Sequence, residues 1–238
     1  MRRMRRVRRS ARHAAAALAL AALAAGGCVD GERPGRAVYV LIDTSASYRP
    51  ALARAVAGAK RIVARARPGD VLAVALITEG SFTDEAVLHE GRLAGRPSEI
   101  ARLKRRLGAR LDALALAARP APHTDISGAL LQAADALARL DTPERWLVIF
   151  SDLDEDLRRG LRRPRLPDLT GVRVIAAGVR KLRSDNRDPE RYYARLARWR
   201  ERLLAAGASG WHVTGAAEAA VIIARGAQGA PSRMPPNP

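Results

Sequence analysis

Three oxygen-bearing side chains stand at alternate positions directly after an apolar run near the start of the chain. The run covers residues 38–42, and the polar residues that follow it are Asp43, Ser45 and Ser47. A carboxylate and two hydroxyls are hard oxygen donors, which a hard divalent cation such as Mg2+ prefers. A hydroxyl ahead of a helical stretch can also cap that helix, so Ser47 alone has a second interpretation. The triplet is a candidate metal site that needs support from elsewhere in the chain.

Two later segments supply that support. Thr124 lies in a polar loop that runs into an apolar helical stretch, and Asp152 closely follows a second apolar strand at residues 146–150. In open α/β sheets, ligands bind at the carboxyl ends of the strands. Thr124 is therefore expected at the same edge of the sheet as Asp43 and Asp152.

Together, Asp43, Ser45, Ser47, Thr124 and Asp152 resemble the metal ion-dependent adhesion site of the von Willebrand factor A (vWA) family. The resemblance extends over residues 36–226. It implies that Ser45 and Ser47 bind the cation directly and that Thr124 binds it directly or through water. Asp43 and Asp152 would lie close to the cation and often act through bound water. The implied cation is Mg2+, with Mn2+ or Ca2+ as alternatives.

The expected partner follows from the charge of such a site. Neutral hydroxyls leave the cation under-neutralised and one coordination position open, and a carboxylate from another molecule can fill that position. The resemblance therefore implies a protein partner that presents an Asp or Glu side chain, and no catalysis.

Strands that alternate with helices predict an α/β fold with a doubly wound, mostly parallel central sheet and helices on both faces. The resemblance adds one antiparallel edge strand, at residues 86–93. The other predicted strands are 37–43, 70–78, 145–151, 172–179 and 210–214, and the predicted helices are 49–66, 99–118, 126–140, 189–206 and 217–225.

The chain of 238 residues is strongly basic, with a formal net charge of +18. Seven arginines among residues 1–12 contribute +7 to this charge, so the rest of the chain carries a net charge of +11. Basic residues cluster in the predicted helices 99–118 and 189–206, without a recognised nucleic-acid motif. We predict no specific nucleic-acid partner, and such a surface suits anionic lipid headgroups better.

The first 28 residues have the pattern of an export signal. An Arg-rich segment is followed by twelve Ala and Leu residues at 14–25, two glycines and Cys28, the only cysteine. The apolar run is shorter than the roughly 20 residues of a membrane-spanning helix. The segment looks like a bacterial lipoprotein signal that is lipidated at Cys28, although Ala25 stands where such signals usually have Leu. A secreted or periplasmic form, or an uncleaved N-terminal anchor, stays open as an alternative.

The predicted organisation is a leader at 1–28, a linker at 29–36, a vWA domain at 37–226 and a disordered Pro-rich tail at 227–238. The expected location is the cell envelope, and the expected function is metal-dependent protein binding. Two alternatives remain. Asp152 and Asp154 resemble the Asp-x-Asp loop of haloacid dehalogenase-like phosphohydrolases, although Asp156 stands where that family has Thr or Val. The site could also be a vestige in a structural component of the envelope.

Overall fold

The computed structural model describes residues 35–117, 119–163 and 165–226. The predicted leader, the lipidation of Cys28 and the Pro-rich tail fall outside these residues. These residues form six strands. They are β1 (Ala37–Asp43), β2 (Val71–Ile77), β3 (Val87–Arg92), β4 (Arg145–Phe150), β5 (Val172–Ala177) and β6 (Gly210–Thr214).

The strands form one sheet in the order β3-β2-β1-β4-β5-β6. Every neighbouring pair is parallel except β2 and β3, which are antiparallel. The chain moves outward from β1 through β2 to β3 and then returns to place β4 on the other side of β1. The strand order therefore reverses between β1 and β4, the place where doubly wound sheets open a crevice for ligands. The predicted fold class is confirmed.

The described residues also form five α-helices: α1 (Leu52–Arg65), α2 (Pro97–Ala117), α3 (Ile126–Ala138), α4 (Pro189–Ala205) and α5 (Ala219–Arg225). The first four lie between strands, and α5 follows β6. The helix predicted from residue 49 begins instead as a 3-10 turn at Arg49–Ala51. Pro50 fits such a first turn because proline has no N–H to donate. Strand β5 stops short of its predicted end at residue 179, because Gly178 turns the chain with a φ of 65°. Among the described residues, no helix is long and apolar enough to cross a membrane.

Both faces of the sheet are buried, which explains the near-continuous apolar runs of β1, β2 and β4. Alternate residues of β1 enter opposite layers: Tyr39 and Leu41 pack on one face, and Val38, Val40 and Ile42 on the other. Helices α3 and α4 cover the first face, whereas α1, α2 and α5 cover the second.

The tryptophans of α4 and β6 are buried. Trp199 of α4 and Trp211 of β6 both lie in the layer beneath α3 and α4. The core between the large residues is mostly Ala, Val, Leu and Ile, as the low aromatic content requires.

Helix α1 approaches the sheet closely at Gly58. A Cβ atom at this position would lie 2.4 Å from the Ala216 carbonyl oxygen and 2.8 Å from the Phe150 ring. We expect Gly58→Ala to lower the free energy of unfolding by about 1–3 kcal/mol, because the backbone at Ala216 would have to move. Thermal and urea denaturation would measure the change.

Gly108 of α2 provides the matched control for that prediction. A Cβ atom there would meet only the Lys60 Cε atom, at 3.9 Å. Gly108→Ala should be neutral or stabilise the protein by up to about 1 kcal/mol, since alanine is the better helix former. Equal effects of the two substitutions would contradict the close approach at Gly58.

Candidate metal site

The last residue of β1 and the first residue after β4 meet at the carboxyl edge of the sheet. The parallel register pairs Ile42 with Phe150, so that Asp43 lies beside Ser151. The Ser151 hydroxyl donates a hydrogen bond to Asp43 Oδ2 at 2.6 Å, and the Ser45 N–H donates to Oδ1 at 2.8 Å. The carboxylate of Asp43 is buried and held in one orientation at the point where the strand order reverses.

The two serines of the first loop lie together at different depths. The hydroxyl oxygens of Ser45 and Ser47 are 3.1 Å apart, and Ser45 is buried whereas Ser47 is exposed. Helix α1 begins after Ala51 without a side-chain cap, so the interpretation of Ser47 as a helix cap is wrong. The loop instead carries hydroxyls from the buried edge out to the surface.

The loop that contains Thr124 is hydrogen-bonded between the other two loops. The Ala121 N–H donates to the Thr44 carbonyl at 3.0 Å, next to the first loop. Thr124 and Asp156 exchange two backbone hydrogen bonds, of 2.8 and 3.1 Å, which join it to the loop after β4. Thr124 itself is 3% exposed. The three loops of the predicted site therefore converge, although the assignment of all five ligands stays a prediction.

Asp152 has an unusual environment for a carboxylate. The side chain is buried, and its Oδ1 atom accepts a hydrogen bond from the Asp154 N–H at 3.2 Å. Its Oδ2 atom is also buried and has no hydrogen-bond partner among the described residues. A buried carboxylate oxygen without a partner is costly, so such an atom points to a missing ligand.

Burial sets the electrostatics of the site. It raises the pKa of Asp43 to about 6, despite hydrogen bonds from Ser151 and Ser45 that lower it, and nearby Asp152 raises it further. Burial also raises the pKa of Asp152, and Ser47 and the Asp154 N–H offset part of that rise. The pKa of Tyr48 is raised by burial and by the charges of both carboxyls. A divalent cation would favour the charged forms of both carboxyls, so the residues present fit such an ion.

Within the described ranges, no three His, Cys, Asp or Glu side chains are grouped so that they could hold a metal ion. The candidate site has a different composition, with two carboxylates supplemented by hydroxyls.

The turn after Asp152 is held from beneath by helix α4. Leu153 adopts a φ of 62° and is the only non-glycine with a positive φ in the described part of the chain. Its N–H donates to Ser151 Oγ at 2.9 Å, and its carbonyl accepts from Trp199 Nε1 at 2.8 Å. The Asp152 carbonyl accepts from Arg195 Nε at 2.9 Å. These contacts fix the backbone on both sides of the Asp152 side chain.

Arg195 connects this turn to the loop after β5. Its guanidinium forms two hydrogen bonds with Asp185, of 3.1 and 2.7 Å, and both side chains are nearly inaccessible. The Arg180 carbonyl accepts from Arg195 at 3.5 Å, and the Arg180 side chain donates to the Ser47 carbonyl at 3.3 Å. One buried ion pair therefore supports two of the loops that form the site.

Sequence reasoning missed Ser151, Arg195 and Trp199. In the sequence, Arg195 is one of several basic residues in the predicted helix 189–206. A usable signal was present, because Arg195 and Trp199 are four residues apart and share a helix face with Leu196 and Leu203, which are buried. An arginine on an apolar stripe requires a buried partner.

The acidic residues after Asp152 have separate roles. Glu155 accepts a hydrogen bond from the Ser127 N–H at 2.6 Å, and it forms an ion pair with Arg202 at 3.5 Å. These contacts connect the loop after β4 to α3 and α4. Asp156 pairs with His123 at 3.0 Å. Asp154 is exposed, whereas Asp152 is buried. The Asp152/Asp154 pair of the phosphohydrolase alternative is therefore not favoured.

The doubly wound sheet, the antiparallel edge strand and the three converging loops are the arrangement that the vWA resemblance implies. The fold of this chain is vWA-like. No family model matches the sequence, and no curated protein matches it.

Solved structures similar to this vWA-like chain include the vWF domain of the pilus tip protein Mfa5 from Porphyromonas gingivalis (TM-score 0.35, 20% identity, covering 50% of this chain and 38% of that one). A von Willebrand factor type A structure from Catenulispora acidiphila gives a TM-score of 0.41 at 15% identity, and the match covers 61% of this chain and 33% of that one. An aerotolerance-related membrane protein from Bacteroides fragilis gives a TM-score of 0.47 at 14% identity, and the match covers 80% of this chain and 98% of that one. The chain thus spans less than two thirds of the first two structures.

Proposed function

We propose that this chain is a protein-binding domain of the cell envelope that captures its partner through a bound divalent cation and performs no catalysis. Mg2+ is the proposed cation, with Mn2+ or Ca2+ as alternatives. Ser45, Ser47 and Thr124 would hold it through their hydroxyls, and Asp43 and Asp152 would lie close to it.

The observation that carries this proposal is the buried Oδ2 atom of Asp152, which has no partner among the described residues. It belongs to one of two buried carboxyls whose pKa values are both raised. Next to them, the Ser45 and Ser47 hydroxyls lead to the protein surface. A cation at this edge would offset the desolvation of both carboxyls and leave one side open to solvent.

The donor set also supports the choice of partner. A cation held mostly by neutral hydroxyls keeps much of its positive charge, and so it offers a strong position for an incoming carboxylate. The partner would accordingly present an Asp or Glu side chain at an exposed position. Ser47 is exposed, so that side chain would approach the cation past it.

The envelope location rests on the leader. Residues 1–28 have the order of a basic segment, a short apolar segment and small residues before Cys28. We propose that Cys28 carries the lipid that attaches the protein to a membrane, and a secreted or periplasmic form is the alternative. Mass spectrometry of the protein from its native membranes would distinguish these forms.

Ser47→Ala should weaken Mg2+ binding by about tenfold or more, because it removes one proposed ligand without disturbing the core. Calorimetric titration with Mg2+ would measure the effect. Ser209→Ala is the matched control, since Ser209 is also an exposed serine and lies near the opposite edge of the sheet. No binding by the unmodified protein in the low millimolar range would favour the vestigial site instead.

Partner capture is a separate test. Envelope extract passed over the immobilised protein should lose a defined component in Mg2+, and chelator should release it. Ser47→Ala should capture less of that component than Ser209→Ala does. Capture that is indifferent to chelator would contradict the proposal even if the protein binds Mg2+.

A further inference from the structure

The two helical layers differ in charge. Helices α1 and α2, which lie together on one face of the sheet, contain nine Lys or Arg residues against two acidic ones. Helices α3 and α4 on the other face contain five Arg against three acidic residues. One of those five, Arg195, is neutralised in its buried pair with Asp185. Most of the excess positive charge of the helices therefore faces one direction.

The positive charges on the α1–α2 face are available to a ligand. Arg61, Arg65, Arg102, Arg105 and Arg106 are all exposed. None of the five forms a hydrogen bond or ion pair with another residue that the structure describes. The side chains project from the C-terminal half of α1 and the N-terminal half of α2, which lie alongside each other.

The same face has an apolar component. A groove of about 570 Å³ lies between the two helices, with Val63, Ala101 and Gly108 in its lining and Lys60 and Lys104 beside them. Both lysines already have partners: Lys60 pairs with Asp112 at 2.7 Å, and Lys104 donates to the Ala66 carbonyl at 2.6 Å. Further along α2, Leu116 is 83% exposed. Arginines thus border a surface of small apolar residues and one projecting leucine.

We infer that the α1–α2 face binds the surface of an anionic lipid bilayer. Exposed arginines would contact the phosphates, and the groove and Leu116 would contact the adjoining hydrocarbon. A polynucleotide would use only the first of these features. Helices α1 and α2 contain no aromatic residue on which bases could stack.

The entry of the chain into the fold supports the same partner. Gly35 packs against the Gly69 backbone, close to the end of α1. If Cys28 is lipidated as proposed above, six residues lie between the anchor and Gly35, and the seven Cα-to-Cα steps reach at most about 25 Å. The chain would then enter the fold, near the end of α1, within that distance of the anchor. The inference does not depend on metal binding.

Two charge-reversed variants of the full chain would test it, both with Cys28→Ser so that no lipid is attached. One carries Arg102→Glu, Arg105→Glu and Arg106→Glu on α2. The other carries Arg191→Glu, Arg198→Glu and Arg200→Glu on α4, which are also exposed, with Arg191 paired to Asp188. Sedimentation with phosphatidylglycerol vesicles should show roughly 100-fold weaker partitioning for the α2 variant and a change below about threefold for the α4 variant. The basic leader contributes equally to both.

Equal losses in the two variants would overturn the inference, because net charge alone would then explain binding. An α2 variant that loses affinity for duplex DNA but not for vesicles would overturn it in favour of a nucleic-acid surface.

A second measurement keeps the inference falsifiable if a reversed variant fails to fold. Ala113 of α2 and Ala197 of α4 are both exposed. In the Cys28→Ser background, either alanine can be replaced by cysteine, which is then the only thiol and can be labelled with a polarity-sensitive fluorophore. Phosphatidylglycerol vesicles should shift the emission of the label at 113 to the blue, and that of the label at 197 should not change. The reverse pattern, or no shift at either position, would overturn the inference.

Discussion

Replacement of Asp43 by Asn should weaken Mg2+ binding at least 100-fold and abolish Mg2+-dependent partner capture, while the domain stays folded. The amide oxygen can still accept the Ser45 N–H, which donates to Asp43 Oδ1 at 2.8 Å. The substitution removes a buried negative charge that is unfavourable without a cation, as the raised pKa of Asp43 indicates. Stability without metal should therefore change little, whereas attraction for a cation is lost. Calorimetric titration and thermal denaturation with and without Mg2+ would measure both quantities.

Asp168→Asn is the control for that experiment. Asp168 also accepts the N–H of the residue two positions later, from Thr170 at 2.9 Å, but it lies in an exposed loop before β5 at the opposite edge of the sheet. Its replacement should leave Mg2+ binding unchanged. If Asp43→Asn kept the full Mg2+-induced rise in melting temperature, the cation would have to bind elsewhere.

Arg195→Met should destabilise the domain by about 3–5 kcal/mol, because it leaves the buried carboxylate of Asp185 without its partner. For a domain of this size, such a loss lowers the melting temperature by about 10 °C. The double variant Arg195→Met/Asp185→Asn should recover most of the loss. It removes both charges, and the new amide can still accept the Leu182 N–H that Asp185 accepts at 2.7 Å.

Metal affinity should respond differently from stability in this pair of variants. Arg195 also donates to the Asp152 carbonyl at 2.9 Å, and neither variant restores that hydrogen bond. We therefore expect weaker Mg2+ binding in the double variant despite its recovered stability. If Mg2+ binding recovered together with stability, Arg195 would contribute only to the fold and not to the position of Asp152.

The strands were predictable because their signals are local. Residues 37–43 form a continuous apolar run that ends in a carboxylate, and β1 has those same bounds. The weaker run at 86–93 was placed as an antiparallel edge strand only through the family resemblance, and β3 is one. The errors lie at boundaries, where single residues such as Pro50 and Gly178 override the periodic pattern.

The sequence predicted the proposed ligands of the candidate site better than it predicted the contacts that hold them in place. Asp43 and Asp152 each follow an apolar strand, so their place at the carboxyl edge could be inferred from the sequence. The bond from Ser151 to Asp43 depends on the parallel register of β1 and β4, which no local pattern specifies. The Arg195–Asp185 pair joins two segments whose proximity is decided by the packing of α4.

Leu153 faces two demands that few amino acids satisfy together. Its left-handed backbone conformation would be easiest for glycine or asparagine, yet its side chain is almost completely buried in the layer beneath α3 and α4. Glycine would relax the turn but leave a hole, and a β-branched residue would fill the space but resist the turn. We therefore expect few substitutions at this position among related sequences. The cause would be the combined demand for a left-handed backbone and a large buried side chain, and not contact with a ligand.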